Sequence, residues 1–175
     1  DPISLSQYLE KMPDTQKEIY YISAETSAQA LASPHLEGFK SKNIPVLIMT
    51  DAIDQFWLPM IGSFKEKKFT SITQGKINLD ELDSKNKDKK NKSNDDKDKQ
   101  DKEYVDLIAQ LKIVLGDQVK DIRLSSKLTD SPVCLVADEG DMDIAMEQLM
   151  AQRDSNYKGA PRILEINGDH SLIKN

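Results

Sequence analysis

The chain has 175 residues, a formal net charge of −6, 38% hydrophobic and 31% charged side chains, and one cysteine. The acidic balance speaks against nucleic acid or an anionic membrane as partner, the lone Cys134 forbids an internal disulfide, and no apolar run approaches the roughly 20 residues of a membrane span. The start, Asp1-Pro2-Ile3, is neither basic nor apolar, so no signal peptide is read there and a cytoplasmic protein is expected. Without an initiator Met, the chain is expected to be a piece of a longer one.

In chain order, residues 4–12 predict a short helix. Leu5, Tyr8 and Leu9 fall at i, i+3, i+4, and Pro13 stops the pattern. Residues 17–24 are β-branched and aromatic and predict a strand. Residues 25–32 are Ala-rich and helical, and Ser33-Pro34 reads as an N-cap with Pro at the first helical position, opening a second helix over 35–41. The apolar run 45–50 predicts a strand buried on both faces. Strand, helix, strand in this order suggests a parallel βαβ unit with helices on the sheet.

Over residues 51–64, Asp51 can cap a helix. Ile53, Phe56, Trp57, Met60, Ile61 and Phe64 then share one face, with Pro59 expected to kink or break the helix near Leu58. That face is either core, or it leaves Phe56, Trp57 or Met60 protruding to grip a partner. Residues 69–73 predict an edge strand, and 77–82 lead into a charged run.

That run, residues 83–103, has no apolar side chain. Eight Lys interleave with seven Asp or Glu, so it carries too little of one sign for a nucleic-acid arm and too little apolar surface to order itself. It is expected to be a spacer, or a solvated extension of the helix that follows.

Residues 104–115 predict an amphipathic helix with Val105, Ile108, Leu111, Val114 and Leu115 on one face, ended by Gly116. Residues 119–125 alternate and predict a strand, 129–132 a turn, 133–137 a second strand, and 162–166 a last one. Between them, 141–152 predict a helix that places Met142, Ala145, Met146, Leu149 and Met150 on one arc, with Ile144 and Ala151 opposite. The Met arc is either core or an adaptable surface for varied sequences. In the second case Ile144 and Ala151 hold the helix to its sheet.

Other chemistries are weaker. Cys134 lies in an apolar strand, where a thiol is inert. Asp51 and Asp54 could pair as acid and base, although capping also explains them. Asp138, Glu139, Asp141 and Asp143 lack an EF-hand pattern, so no metal is expected, and the seven scattered Gly form no phosphate loop.

Ile19-Tyr20-Tyr21-Ile22, Ala32-Ser33-Pro34-His35-Leu36-Glu37 and Val46-Leu47-Ile48-Met49-Thr50-Asp51 with Ile53-Asp54 resemble the end of the middle domain of bacterial HtpG-type members of the ninety-kilodalton heat-shock chaperone family. The run from Leu115 to Leu124, Leu128-Thr129-Asp130-Ser131-Pro132, Met146-Glu147-Gln148-Leu149-Met150, Leu164-Glu165-Ile166-Asn167 and Asp169-His170 resemble the start of its C-terminal domain.

The resemblance implies three parts. Residues 1–82 would end an αβα middle domain, 83–103 would be the charged spacer, and 104–175 would be a mixed α/β C-terminal domain that stops before the helices making the parent homodimer. The fragment would then be a monomer. It would bind non-native client proteins and transmit domain motion, through Phe56, Trp57, Met60, Met142, Met146, Leu149 and Met150. It would hold no cofactor of its own, with ATP and magnesium bound upstream in the parent. The rival readings are a small thiol or carboxylate hydrolase and a plain interaction adaptor.

Overall fold

A computed structural model describes residues 3–13, 15–74, 77, 79, 93–154 and 157–174, with 93–103 described by backbone alone. The architecture is mixed α/β, built on two sheets. Residues 83–92 of the charged run lie outside the described set, whereas 93–103 form the first turns of a long helix.

Helix α1 (Leu5–Lys11) starts in a capping box. Ser4 Oγ accepts from Gln7 N at 3.2 Å and Gln7 Oε1 accepts from Ser4 N at 2.8 Å, so each of two otherwise orphaned backbone donors is satisfied by the other residue's side chain. Strand β1 (Ile19–Ser23) is followed by α2 (Ser27–Leu31), a 3-10 turn at Pro34–Leu36, α3 (Glu37–Ser41) and β2 (Leu47–Met49). Helix α4 (Asp54–Ile61), β3 (Ser63–Phe64) and β4 (Lys67–Ser71) complete the first half.

The sheet order is β2-β1-β4-β3, with β1 parallel to both β2 and β4. The predicted edge strand β4 is therefore internal. Its outer neighbour β3 was not foreseen because the two-residue turn between them uses Lys65 and Glu66, both at positive φ, in place of the glycine or asparagine that marks such turns.

Alternation along the strands divides the core in two. Tyr20 and Ile22 pack with Ala30 of α2, Leu36 of the 3-10 turn, Phe39 of α3, and with Ile72, Ile77 and Leu79. Ile19, Leu47 and Phe69 pack on the opposite face with Tyr8 of α1 and Leu58 of α4. Helices therefore cover both faces, as an αβα layer requires. Strand β2 lies at a sheet edge, but Ile48 and Val46 reach the first core and Leu47 and Met49 the second.

The second half contains α5 (Ser93–Leu115), β5 (Val119–Leu124), β6 (Val133–Val136), α6 (Ile144–Arg153), β7 (Arg162–Ile166) and α7 (Ser171–Lys174). Strand β7 is central, parallel to β5 and antiparallel to β6. Helix α5 turns Tyr104 inward, and the Tyr104 hydroxyl donates to Gly168 O at 2.6 Å. Two members of its predicted apolar face, Val105 and Val114, are instead exposed. The helix is rotated so that Tyr104, which the pattern did not include, occupies the buried position.

Polar contacts join the halves. Thr73 Oγ1 donates to Asp143 Oδ2 at 2.8 Å, Gln74 Nε2 to Asp141 O at 2.7 Å, and Ala137 N to Thr73 O at 2.9 Å. Lys127, 2% exposed, reaches Ile72 O at 3.4 Å and lies 3.9 Å from the equally buried Glu165. Glu165 also accepts from Arg123 Nε and Nη2 and from Ser125 Oγ. The buried carboxylate is thereby surrounded by donors, the condition under which a buried charge is tolerated.

Candidate functional site

Helix α4 is set by Leu58, which is 1% exposed and packs among Tyr8, Ile19, Leu47 and Phe69. Sequence periodicity placed Leu58 off the main apolar face. Burying it turns much of that face outward, with Ile53, Phe56, Met60 and Ile61 exposed and Met60 85% so. Trp57 behaves differently from Phe56. Its ring meets Phe69 edge-on at 6.0 Å and its Nε1 donates to Asp54 Oδ1 at 2.6 Å. Trp57 is therefore half-buried and tethered, whereas Phe56 is free to meet another molecule.

Pro59 lies inside α4 without ending it at once. The helix runs on to Ile61 and stops at Gly62. Asp51 does not cap it, since the N-cap residue is Ile53 and makes no side-chain cap bond. Instead Asp54 Oδ2 accepts from Asp51 N at 3.3 Å. With Oδ1 on Trp57, the Asp54 carboxylate is engaged by local donors.

Helix α6 is positioned mostly by polar groups. Asp143 is its N-cap and accepts from Ala145 N at 2.9 Å. Glu147 pairs with Arg162 of β7 and accepts from Ala160 N at 2.8 Å, and Arg162 Nη1 donates to Met142 O at 2.7 Å. Gly159, at φ +67°, leaves the space that the Glu147 carboxylate occupies. Ala145 is the buried residue of the helix. Met142 and Met150 are exposed, while Met146 and Leu149 are half-buried.

The expected anchors differ. Ala151 is exposed, and Ile144 lines a shallow open pocket with Ala151, Gln148 and Tyr157. The anchoring falls to Ala145 because the Asp143 cap and the Glu147–Arg162 pair fix the helix rotation. Periodicity could not register either contact. It likewise assigned Ile53 and Ile61 to the packed face of α4, although both stand in solvent.

The remaining candidates have structural explanations. Burial first, then the negative charge of Glu165, pushes the Cys134 thiol up to about 12, so it is not a thiolate at neutral pH. Asp138 and Asp141 both pair with Lys120, at 2.9 and 3.0 Å. Among the described residues no helix is long and apolar enough to cross a membrane.

Among the described residues, two α/β sheet units carry helices α4 and α6 with exposed apolar side chains. A family model described as Hsp90 protein matches residues 1–175, and the chain belongs to this ninety-kilodalton heat-shock protein family. It is 42% identical over 173 residues to the chaperone protein HtpG of Roseobacter denitrificans, covering 99% of this chain and 27% of that protein. It is 37% identical over 174 residues to the HtpG of Streptomyces coelicolor (99% and 26%). The match to the HtpG of Wolbachia pipientis is 40% over 173 residues (98% and 27%). The chain spans about a quarter of the length of these relatives. The resemblance read from short motifs thus holds over the whole chain.

Proposed function

We propose that this chain is the middle-to-C-terminal portion of an ATP-driven, cytoplasmic chaperone, and that it holds non-native proteins through α4 and α6 while passing domain motion between its halves. The names of the relatives support the chaperone part of this reading. The observation that carries the client surface is the exposure of Ile53, Phe56, Met60 and Ile61 on α4, with Met142 and Met150 on α6. Flexible, polarizable Met side chains suit a surface that must accept many sequences. Phe56 rather than Trp57 supplies the aromatic contact, because Trp57 is committed to Phe69 and Asp54. Met146 and Leu149 contribute their outer edges.

Each apolar side chain fully buried on binding contributes roughly 1.5–3 kcal/mol. Association costs offset much of that, so weak and reversible affinity follows, as suits a surface that must release its client. The sequence has no glycine-rich phosphate loop, so ATP and its magnesium are assigned to the part of the parent protein outside this chain, as is the parent homodimer contact.

The test uses two double variants, Phe56→Ser with Met60→Ser, and Met142→Ser with Met150→Ser. All four side chains are exposed, so far-UV dichroism stays unchanged. Binding to a permanently unfolded model protein falls several-fold in each. Unchanged binding in both variants refutes the surface.

A further inference from the structure

Glu37 opens helix α3 in the first half, yet its carboxylate is used by the second. Oε2 accepts from the backbone N–H of Thr129 at 2.8 Å, Asp130 at 2.9 Å and Ser131 at 3.1 Å, while Oε1 accepts from the Ser131 hydroxyl. Three successive N–H groups converging on one anion form a backbone nest. The opposite side of the same turn is held from the residue that follows β7. Asn167 Nδ2 donates to Thr129 O at 3.3 Å and to Ser131 O at 3.1 Å, and Asn167 N donates to Pro132 O at 2.8 Å. The turn is thus gripped by its N–H groups from the first half and by its carbonyls from the second.

We propose that Glu37 is the latch coupling the two halves of the chain, its carboxylate seated in the 129–131 nest so that α3 and the β6–β7 unit move and unfold together. This goes beyond the client reading and does not depend on it. Several other polar contacts across the joint come from the segment after β4, at Ile72, Thr73 and Gln74. Glu37 is a helix-borne polar contact that ties α3 to the second half. A carboxylate is required because four donors face it. A glutamine would keep one acceptor oxygen for the three N–H groups but turn an NH2 group toward the Ser131 hydroxyl and lose the negative charge they share. Charge-assisted bonds of this kind are also stronger than neutral ones. Burial works to raise the Glu37 pKa, but the bonds from Ser131 and the three amides outweigh it and hold the group below its usual range, so it is ionised at neutral pH.

The 175-residue chain supplies its own probes, with its one tryptophan, Trp57, in the first half and its one cysteine, Cys134, in the second. Amide hydrogen exchange is read at Thr129, Asp130 and Ser131. Denaturant unfolding is followed by Trp57 fluorescence and by Cys134 thiol labelling. In the native sequence the three amides are protected and the two transitions coincide. Glu37→Gln speeds exchange of those amides about tenfold or more and separates the two midpoints. Glu25→Gln, which alters the exposed contact to Gln152 across the same joint, leaves both readouts as they were. Ser131→Ala removes one donor of the four and gives a smaller shift of the same sign, which keeps the test available if Glu37→Gln does not fold. Unaltered amide protection, or a loss of stability with the two transitions still coincident in both latch variants, overturns the proposal.

Discussion

His35 sits in the 3-10 turn that leads into α3, where the Ser33 hydroxyl accepts from its backbone N–H. Burial first, and then the positive charge of Lys127, lower its pKa to about 4 against the opposing pull of Glu165, Asp143 and Glu37. The folded imidazole is therefore neutral at neutral pH, while the unfolded one titrates near 6.5. Below that value the unfolded chain binds the extra proton. Stability is full above about pH 6.5 and falls as pH drops toward 4, with a slope of up to about 1.4 kcal/mol per pH unit. Carboxylates held low, such as Glu37 and Asp138, add their own loss at lower pH. The His35 part is isolated by difference. His35→Leu flattens the pH dependence of the chemical-denaturation midpoint between 4 and 6.5, and an identical profile contradicts the buried neutral histidine. Little of this was legible in the sequence, where His35 read only as a residue at a helix start. Nothing in a single sequence reveals that Arg123 and Ser125 converge on Glu165, or that Ile72 O accepts from Lys127.

Elements were read better than their faces. Residues 162–166 form the predicted last strand residue for residue, and Ser33 caps where expected, because strand composition and capping are local signals. The rotation of a helix is not local. Helix α4 has apolar residues around most of its circumference, so periodicity alone could not choose between Leu58 and its neighbours. The choice was made by the pocket among Tyr8, Ile19, Leu47 and Phe69. The candidate surface was consequently half-legible, since the sequence named Phe56 and Met60 but placed Ile53 and Ile61 on the packed side. The rotation makes a sharp prediction. Leu58→Ala empties a fully buried site and costs about 2–5 kcal/mol, whereas Met60→Ala, two residues away and almost wholly in solvent, changes stability by no more than about 0.5 kcal/mol. Thermal or urea unfolding of the two variants checks it, and similar losses in both would mean that the helix is turned the other way.

At the scale of the whole molecule, the joint is built from close approach as well as hydrogen bonds. Gly38 follows the latch residue on α3 and is fully buried against the second half. A Cβ placed on it would come within 2.6 Å of Leu79 Cδ1, 2.6 Å of Lys127 O and 3.0 Å of Lys127 Cα. The leucine tip can swing aside, but the Lys127 backbone cannot, because Lys127 N donates to Ser125 Oγ at 3.1 Å and its side chain runs to Ile72 and Glu165. Only the packed neighbour shows why a side chain is excluded here. Alanine would ordinarily favour a helix by about 1 kcal/mol over glycine. Here that gain is opposed by overpacking worth about 1–3 kcal/mol, and the strain falls on the contact between the halves. Gly38→Ala therefore lowers the unfolding midpoint while Trp57 keeps its native fluorescence, because its packing on Phe69 lies on the opposite face of the first sheet. Cys134 becomes easier to label below the main transition as the second half loosens first. If Gly38→Ala proves as stable as the native chain, the two halves do not meet as closely as this joint requires.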